Sequence, residues 1–301
     1  MIYINDVEIE FSAFPNGEIL VNTDILNNID KNIKSIRVDF KWQENEDLLN
    51  LYFAIKHLRY TNNDKYLPID LYVYYMPYSR MDRSQNGSCF TLFHVSSLIN
   101  SILLPLDKVY IVEPHSDVAL KLIPNSTRIN AITPLMKNIL KLNPGIDVIC
   151  YPDKGAKARF QDDSVNLPIV YCEKVRDFES GNITGLNLVT TTSVINKNVL
   201  ILDDLCSAGG TFYYTALELK KAGVKDVFLG VCHMEQNIVN GKLFKEESPI
   251  NHIYCFDTMI NKLQIDFLNL FKNITVYSIE DFLKKGEIKN ANTSNAISRF
   301  L

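Results

Sequence analysis

The sequence predicts an α/β protein built from two doubly wound, mainly parallel-sheet domains. Three observations carry this expectation. Short apolar, partly β-branched runs alternate with stretches of helical spacing along most of the chain, the pattern of βα units. The alternation comes as two series, separated by the breaker Asn143-Pro144-Gly145. Between Asn198 and Gly223 an apolar run, a small-residue turn and an amphipathic helix follow without a gap. With 301 residues the chain has room for two domains of ordinary size. The expected division is 1–143, 144–286 and a polar tail, 287–301.

In the first series, Phe14-Pro15-Asn16-Gly17-Glu18 reads as a β-turn with Pro and Gly in expected places. Glu44 to Tyr60 has helical apolar spacing at Leu48, Leu51, Tyr52, Ile55 and Leu58. Ile69 to Met76 reads as a strand that runs into Pro77-Tyr78-Ser79-Arg80-Met81-Asp82-Arg83. Two arginines within two positions of an acid suit a nucleotide phosphate and its counter-charges, and equally a solvated charged loop. Phe90 to Leu103 is an expected helix. Lys108 to Val112 is an expected strand, ending in Glu113-Pro114-His115-Ser116. One His at a strand end is more often structural than catalytic. The carboxyl edge of a parallel sheet is, however, where α/β proteins bind ligands. Pro134 to Leu142 closes the series as a helix.

The second series begins with a strand, Asp147 to Tyr151. Pro152-Asp153-Lys154-Gly155 then opens a helix, with Asp153 as a candidate metal or ribose ligand. Pro168 to Cys172 is a strand, followed by Glu173-Lys174-Val175-Arg176-Asp177. This stretch reads as a charged hairpin loop, or as a basic flap that closes on a triphosphate and excludes water. Val199 to Leu202 is a buried strand, with Asp203 and Asp204 at its end. The turn Ser207-Ala208-Gly209-Gly210-Thr211 leads into a helix with Tyr214, Leu217 and Leu219 among its apolar positions and Gly223 as its stop.

Glycines in such a turn let backbone N–H groups approach a phosphate, and a helix N-terminus adds partial positive charge. The paired carboxylates suit sugar hydroxyls or a metal, so the stretch points to a phosphorylated sugar. It is not a P-loop, because no Gly-Lys-Ser/Thr follows. Val227 to Val231 and Ile253 to Phe256 complete the sheet, with Cys232-His233 as a buried strand end, and Ile274 to Lys285 ends the series.

The composition, 47% hydrophobic and 22% charged, is that of a soluble globular protein. A net charge of −4 without a basic stripe argues against nucleic acid as a partner. The absence of a run of about 18 apolar residues argues against a membrane span. The stretch MIYINDVEIEF lacks the basic start and apolar core of a signal peptide. Six cysteines without a C-x-x-C pair point to free thiols and a cytoplasmic setting.

Asp203 to Thr211 resembles the phosphoribosyl-diphosphate signature shared by type I phosphoribosyltransferases and ribose-phosphate diphosphokinases, or PRPP synthetases. Other segments resemble the diphosphokinases in family order. Phe14 to Glu18 looks like their Phe-Ser-Asp-Gly-Glu turn, which reaches adenine across a subunit interface, with Asn16 in place of Asp. Pro77 to Arg83 is similar to Pro-Tyr-Ala-Arg-Gln-Asp-Arg, an ATP-binding stretch; Arg80, Asp82 and Arg83 match and Met81 replaces Gln. Glu113 to Ser116 resembles Asp-Leu-His-Ala, whose His binds the catalytic Mg²⁺. Pro152 to Arg159 looks like Ser-Pro-Asp-x-Gly-Gly-x-x-Arg, matching at Asp153, Gly155 and Arg159, with Ala156 for the second Gly. Lys174 and Arg176 match the ends of the Lys-Arg-Arg catalytic loop, with Val175 between them.

The resemblance implies phosphoribosyltransferase-type domains, the first binding ATP and mediating oligomerisation, the second binding ribose phosphate. It implies transfer of the β,γ-diphosphoryl group of ATP to the C1 hydroxyl of ribose 5-phosphate, with Mg²⁺ as cofactor, in a homo-oligomer from dimer to hexamer. By the same resemblance Lys174 and Arg176 are catalytic. Asp203 and Asp204 hold the ribose hydroxyls, and Ser207, Ala208, Gly209, Gly210 and Thr211 hold the 5-phosphate. Phe14, Glu18, Arg80, Asp82 and Arg83 build the ATP pocket, and His115 and Asp153 position Mg²⁺. Typical diphosphokinase loops open with Asp-Thr, whereas this one opens with Ser207-Ala208. Loss of that negative charge suits a bulkier or more anionic 5-substituent, so ADP-ribose, in an NAD⁺-rebuilding pathway, stays open as the acceptor. A type I phosphoribosyltransferase, for which no base-binding hood is seen, and an inactive regulatory homologue remain as alternatives.

Overall fold

The structure, a computed structural model, describes residues 1–30, 32–61, 67–161, 165–176, 183–244, 248–271, 273–286 and 288, and of 174–176 and 183–185 the backbone alone. The chain forms two compact units, Met1–Ile129 and Asn130–Leu301. The tail, 287–301, lies outside the described residues apart from 288.

In the first unit a hairpin joins β1 (Ile2–Ile4) to β2 (Val7–Glu8). Its turn residues Asn5 and Asp6 take φ of 47° and 73°, as a tight hairpin turn of this hand requires. A second hairpin joins β3 (Phe11–Ala13) to β4 (Ile19–Val21), and α1 (Asp24–Asn27) follows. The βα series is then β5 (Ile36–Phe40), α2 (Glu46–Thr61), β6 (Ile69–Val73), α3 (Thr91–Asn100), β7 (Lys108–Val112), α4 (Val118–Leu122) and β8 (Ser126–Ile129). The sheet order is β2-β1-β5-β6-β7-β8, with β5 to β8 parallel. These four strands therefore lie side by side in chain order, and every crossover steps the same way.

The burial patterns of β5, β6 and β7 follow from this winding. Ile36, Val38, Ile69, Leu71, Val109 and Ile111 join Leu51, Ala54, Ile55 and Leu58 of α2 in one core. The alternate residues are mostly polar or aromatic, with the buried Val112 as the exception. The Arg37 guanidinium sits 3.8 Å over the Tyr72 ring, and Tyr72 stacks on Tyr110 at 4.6 Å.

The second unit starts with α5 (Ile132–Leu142), the helix that the sequence had assigned to the first domain. The series continues with β9 (Val148–Tyr151), α6 (Lys154–Phe160), β10 (Ile169–Arg176), β11 (Ile183–Val189), β12 (Asn198–Cys206), α7 (Gly210–Lys221), β13 (Asp226–Met234), β14 (His252–Phe256), α8 (Lys262–Leu268), β15 (Ile274–Tyr277) and α9 (Ile279–Lys285). The sheet order is β11-β10-β9-β12-β13-β14-β15, parallel except for the β10–β11 pair. From β9 the chain steps out to β10, then returns to the other side of β9 as β12. The strand order reverses there, which makes the carboxyl ends of β9 and β12 a topological switch point.

Helices cover both faces of this sheet. Phe212, Ala216 and Leu219 of α7 share a core with Val199 and Ile201 of β12. On the other face α5 comes close at Gly230, where a Cβ would stand 2.8 Å from Ile139 Cδ1 and 2.9 Å from Leu202 Cδ2. Close approach to the sheet, which a side chain at 230 would prevent, is why α5 belongs to this unit. Among the described residues no helix is long and apolar enough to cross a membrane.

Candidate functional site at the switch point of the second sheet

Strand β12 runs through Cys206, four residues past the expected end at Leu202, because its ladder with β13 continues to Cys206↔Met234. Asp203 and Asp204 thus stand on the last part of a central strand. The Asp204 carboxylate is buried, with 4% of its side chain exposed, and Arg159 of α6 meets it with both terminal nitrogens, at 3.2 and 3.4 Å. The same guanidinium lies 3.6 Å from Asp203 Oδ1. Asp203 Oδ1 also accepts the backbone N–H of Asp204 at 2.9 Å. Burial, then the neighbouring Asp204 charge, pushes the Asp203 carboxyl well above the usual carboxylate range. Paired carboxylates at a strand end suit sugar hydroxyls or a metal cation.

Asp153 lies two residues past the end of β9 and caps α6, its Oδ1 accepting the Ala156 N–H at 2.9 Å. Six residues on, the same helix presents Arg159 to the acid pair. The sequence reading matched Arg159 to a family motif but gave it no role; its spacing on α6 aims it at β12.

The small-residue turn is shaped by a segment that the sequence did not mark. Gly209, the N-cap residue of α7, takes φ of +76°, and a Cβ there would lie 2.5 Å from Leu243 Cδ1. Gly241 lies so close to the Ala208 carbonyl oxygen that no side chain fits between them. Asn237 Nδ2 donates to Ser207 Oγ at 3.1 Å. The short 3₁₀ turns Gln236–Asn240 and Lys242–Phe244 thus brace Ser207, Ala208 and Gly209 from behind. A Cβ on Gly210 would meet nothing within 4 Å. Thr211 is exposed in the first turn of α7. Gly223, with φ of +87°, stops that helix as expected. Tyr214 departs from its expected apolar position, being 48% exposed.

Lys174 and Arg176 lie on β10, which runs four residues beyond the expected Cys172. Its pairing with β9 ends at Tyr171↔Tyr151, while pairing with β11 continues through Lys174↔Leu186 to Arg176↔Ile183. Both residues therefore stand on a two-stranded arm. The rest of the expected flap, 177–182, lies outside the described residues.

In the first unit, the Phe14–Glu18 turn closes with Phe14 N–H on Glu18 O at 2.9 Å and Gly17 N–H on Phe14 O at 2.8 Å. Asn16 Oδ1 accepts the Glu18 N–H at 3.1 Å, so it serves the turn itself. The Phe14 ring is 52% exposed. Arg80, Asp82 and Arg83 follow the carboxyl end of β6, with Arg83 Nε 3.4 Å from Asp82 Oδ1. Beneath them is an aromatic cluster that sequence reasoning missed. Trp42, just after β5, stacks on Tyr75 at 5.7 Å and packs against Tyr78 at 6.2 Å, and the Tyr78 hydroxyl donates to Asn45 at 2.6 Å. A sequence with a single Trp next to a strand end carried a faint signal of this. His115 follows β7. The turn before it is held by the buried Glu113, at φ of +37°, which pairs with Arg128 at 3.5 Å.

Among the described residues no three His, Cys, Asp or Glu side chains gather as a metal site. His115 belongs to the first unit and Asp153 to the second. The donor types fit Mg²⁺, which binds through few protein ligands and completes its shell with water and substrate phosphates.

No protein-family model matches the chain. The chain is similar to a ribose-phosphate pyrophosphokinase of Pyrococcus furiosus, 29% identical over 234 residues, covering 75% of this chain and 77% of the relative. It is similar to that of Pyrococcus abyssi, 25% identical over 265 residues, covering 87% and 88%. Its fold is similar to that of a phosphoribosylpyrophosphate synthetase from Mycobacterium smegmatis, with a TM-score of 0.71 at 21% identity over 92% of this chain and 89% of that one. An alignment of 265 residues is longer than either unit and so spans both. The chain thus resembles ribose-phosphate pyrophosphokinases in sequence across both units and a phosphoribosylpyrophosphate synthetase in fold.

Proposed function

We propose that the protein transfers the β,γ-diphosphoryl group of ATP to the C1 hydroxyl of ribose 5-phosphate, giving phosphoribosyl diphosphate and AMP. The observation that carries this is the meeting of paired acids, their shared Arg159 and the left-handed Gly209 turn at one switch point. In this reading the N–H groups of the Ser207–Thr211 turn hold the 5-phosphate. Asp203 and Asp204 accept hydrogen bonds from the 2- and 3-hydroxyls, and Arg159 keeps both carboxylates in place. The C1 oxygen attacks the β-phosphorus, the bond from that phosphorus to the α–β bridging oxygen breaks, AMP leaves, and the hydroxyl proton is released. Lys174 and Arg176 stabilise charge on the transferring group from the β10–β11 arm. Phe14, Glu18, Arg80, Asp82 and Arg83 bind ATP. Mg²⁺ would supply charge neutralisation, with His115 in the first unit and Asp153 in the second as candidate ligands. Most of the rate enhancement comes from positioning and electrostatics, as for phosphoryl transfer generally.

A second acceptor, ADP-ribose, is favoured by one feature. The turn opens with Ser207, tied to Asn237, and Ala208, so no acid of its own repels a further phosphate there. A type I phosphoribosyltransferase is disfavoured, because the relatives match through both units. Release of AMP from ATP and Mg²⁺, with product mass read for each acceptor, tests the proposal. Release with either acceptor supports diphosphoryl transfer, and release with ribose 5-phosphate alone removes the second reading. No AMP with either overturns the proposal in favour of an inactive homologue.

A further inference from the structure

Beside the phosphate turn stands a group of side chains that the reaction above does not use. Lys242 Nζ donates to the Tyr214 hydroxyl at 2.6 Å. It lies 4.5 Å from the centroid of the Tyr214 ring and 5.4 Å from that of Tyr213. The two rings meet edge to face at 5.6 Å. A long, flexible ammonium side chain is thereby held in one place at the surface, against the entropy that favours its freedom.

The location of this group is fixed by its chain neighbours. Gly241, just before Lys242, packs on the Ala208 carbonyl, and Leu243, just after it, packs on Gly209. Tyr214 follows Gly210 by four residues on α7, so both lie on one helix face, with Tyr214 one turn behind. On that face the space beside Gly210 is open, and Tyr214 is exposed where the helix pattern called for an apolar contact. A cation and an aromatic face therefore adjoin the expected 5-phosphate position, and the turn carries no acid at Ser207 or Ala208 to repel a second anion there.

Resting on the ribose-phosphate reading of the turn, we infer that Lys242 and Tyr214 form an extension subsite that takes an acceptor whose 5-phosphate is joined to a second phosphate and a planar base. Lys242 meets the second phosphate and Tyr214 offers its ring to the base. Ribose 5-phosphate fills only the turn, while a nucleoside diphosphate ribose fills both.

The test compares ribose 5-phosphate and ADP-ribose as acceptors, by AMP release and by calorimetric binding without ATP, in the full-length protein and in Lys242→Ala, Lys242→Arg and Tyr214→Ala. A charge-assisted hydrogen bond predicts that Lys242→Ala lowers the ratio of kcat/KM for ADP-ribose to that for ribose 5-phosphate by about tenfold. Lys242→Arg should restore most of that ratio, and Tyr214→Ala should lower it severalfold. Equal losses for both acceptors, or no change in the ratio, overturn the subsite. A protein that binds and uses ribose 5-phosphate but not ADP-ribose also overturns the subsite and leaves the transfer chemistry standing. Lys242-dependent binding of ADP-ribose without AMP release supports the subsite and removes the transfer chemistry. Binding of neither acceptor overturns both.

Discussion

The two units are both βα series, yet they place candidate residues by different means. In the first, β5 to β8 lie in chain order, so no reversal opens a crevice among the parallel strands. Its candidates sit on separate supports: the β3–β4 turn, the loop after β6 braced by Trp42, and the loop after β7 braced by Arg128. In the second, the reversal between β9 and β12 brings two strand ends together. Arg159, on the helix after β9, reaches acids on β12. The difference shows in burial. Strands β9 and β12 are apolar on both faces, as a parallel sheet covered twice demands, whereas β6 alternates. Topology builds the candidate site of the second unit, and loops carry the candidate residues of the first. Substitutions at the switch point of the second unit should therefore move function and stability together, and those on its β10–β11 arm or in the first unit should separate them.

The largest effect is expected on the arm of the second unit. Lys174→Ala and Arg176→Ala should each lower kcat about 10²-fold or more, the scale of losing a donor that meets developing charge. The melting temperature should hardly move, because this end of β10 pairs with β11 alone. Full turnover in both variants would sink the catalytic assignment. Next is Arg159→Ala, which leaves the buried Asp204 without its guanidinium. That should cost about 3 kcal/mol in chemical denaturation, with loss of acceptor binding. A stability change under about 0.5 kcal/mol would show that the acids do not depend on it. Gly209→Ala comes third. It forces a Cβ into a left-handed position and against Leu243, for about 2 kcal/mol together with a raised KM for the acceptor. An unchanged KM would separate the turn from phosphate binding.

How much of this was legible differs by kind of residue. Lys108 to Val112 has its bounds from the sequence, and Gly223 its role, because apolar period and a glycine at a helix end are local signals. The ends of β10 and β12 were not legible. Charged residues end an apolar run, but a ladder is made of backbone groups and continues through Asp203, Asp204 and Lys174. The partner of α5 was hidden for another reason: spacing shows that a helix has a buried face, not which sheet meets it, and Gly230 decides that from 88 residues beyond Leu142. Tyr214 misled because an aromatic residue satisfies a helical apolar pattern whether it faces the core or water. The brace of Asn237, Gly241 and Leu243 has no motif, since it acts through shape.

Asp203→Asn should separate site from stability with opposite signs. The folded-state carboxyl titrates well above its unfolded value, so the native state holds more protons between the two. Native stability then falls as pH rises through that window, from about 4 upward, and the penalty is complete above the folded value. An amide keeps an oxygen for the Asp204 N–H and carries no charge. The variant should lose acceptor binding yet gain stability at pH 8, with a smaller gain at pH 5, by urea unfolding. A loss of stability at pH 8 would contradict the strained carboxylate.

The smallest stability effect belongs to the first unit. The Phe14 ring is 52% exposed, and the hydrogen bonds of its turn are all backbone or from Asn16. Phe14→Ala should therefore change unfolding free energy by less than about 0.5 kcal/mol. An exposed ring that the fold does not need is free to serve a ligand, so the KM for ATP should rise severalfold while the KM for the acceptor stays put. If the acceptor KM moves instead, or if stability drops by a kcal/mol or more, the turn is part of the scaffold, and the contrast between a site built by topology and one built on loops fails at this point.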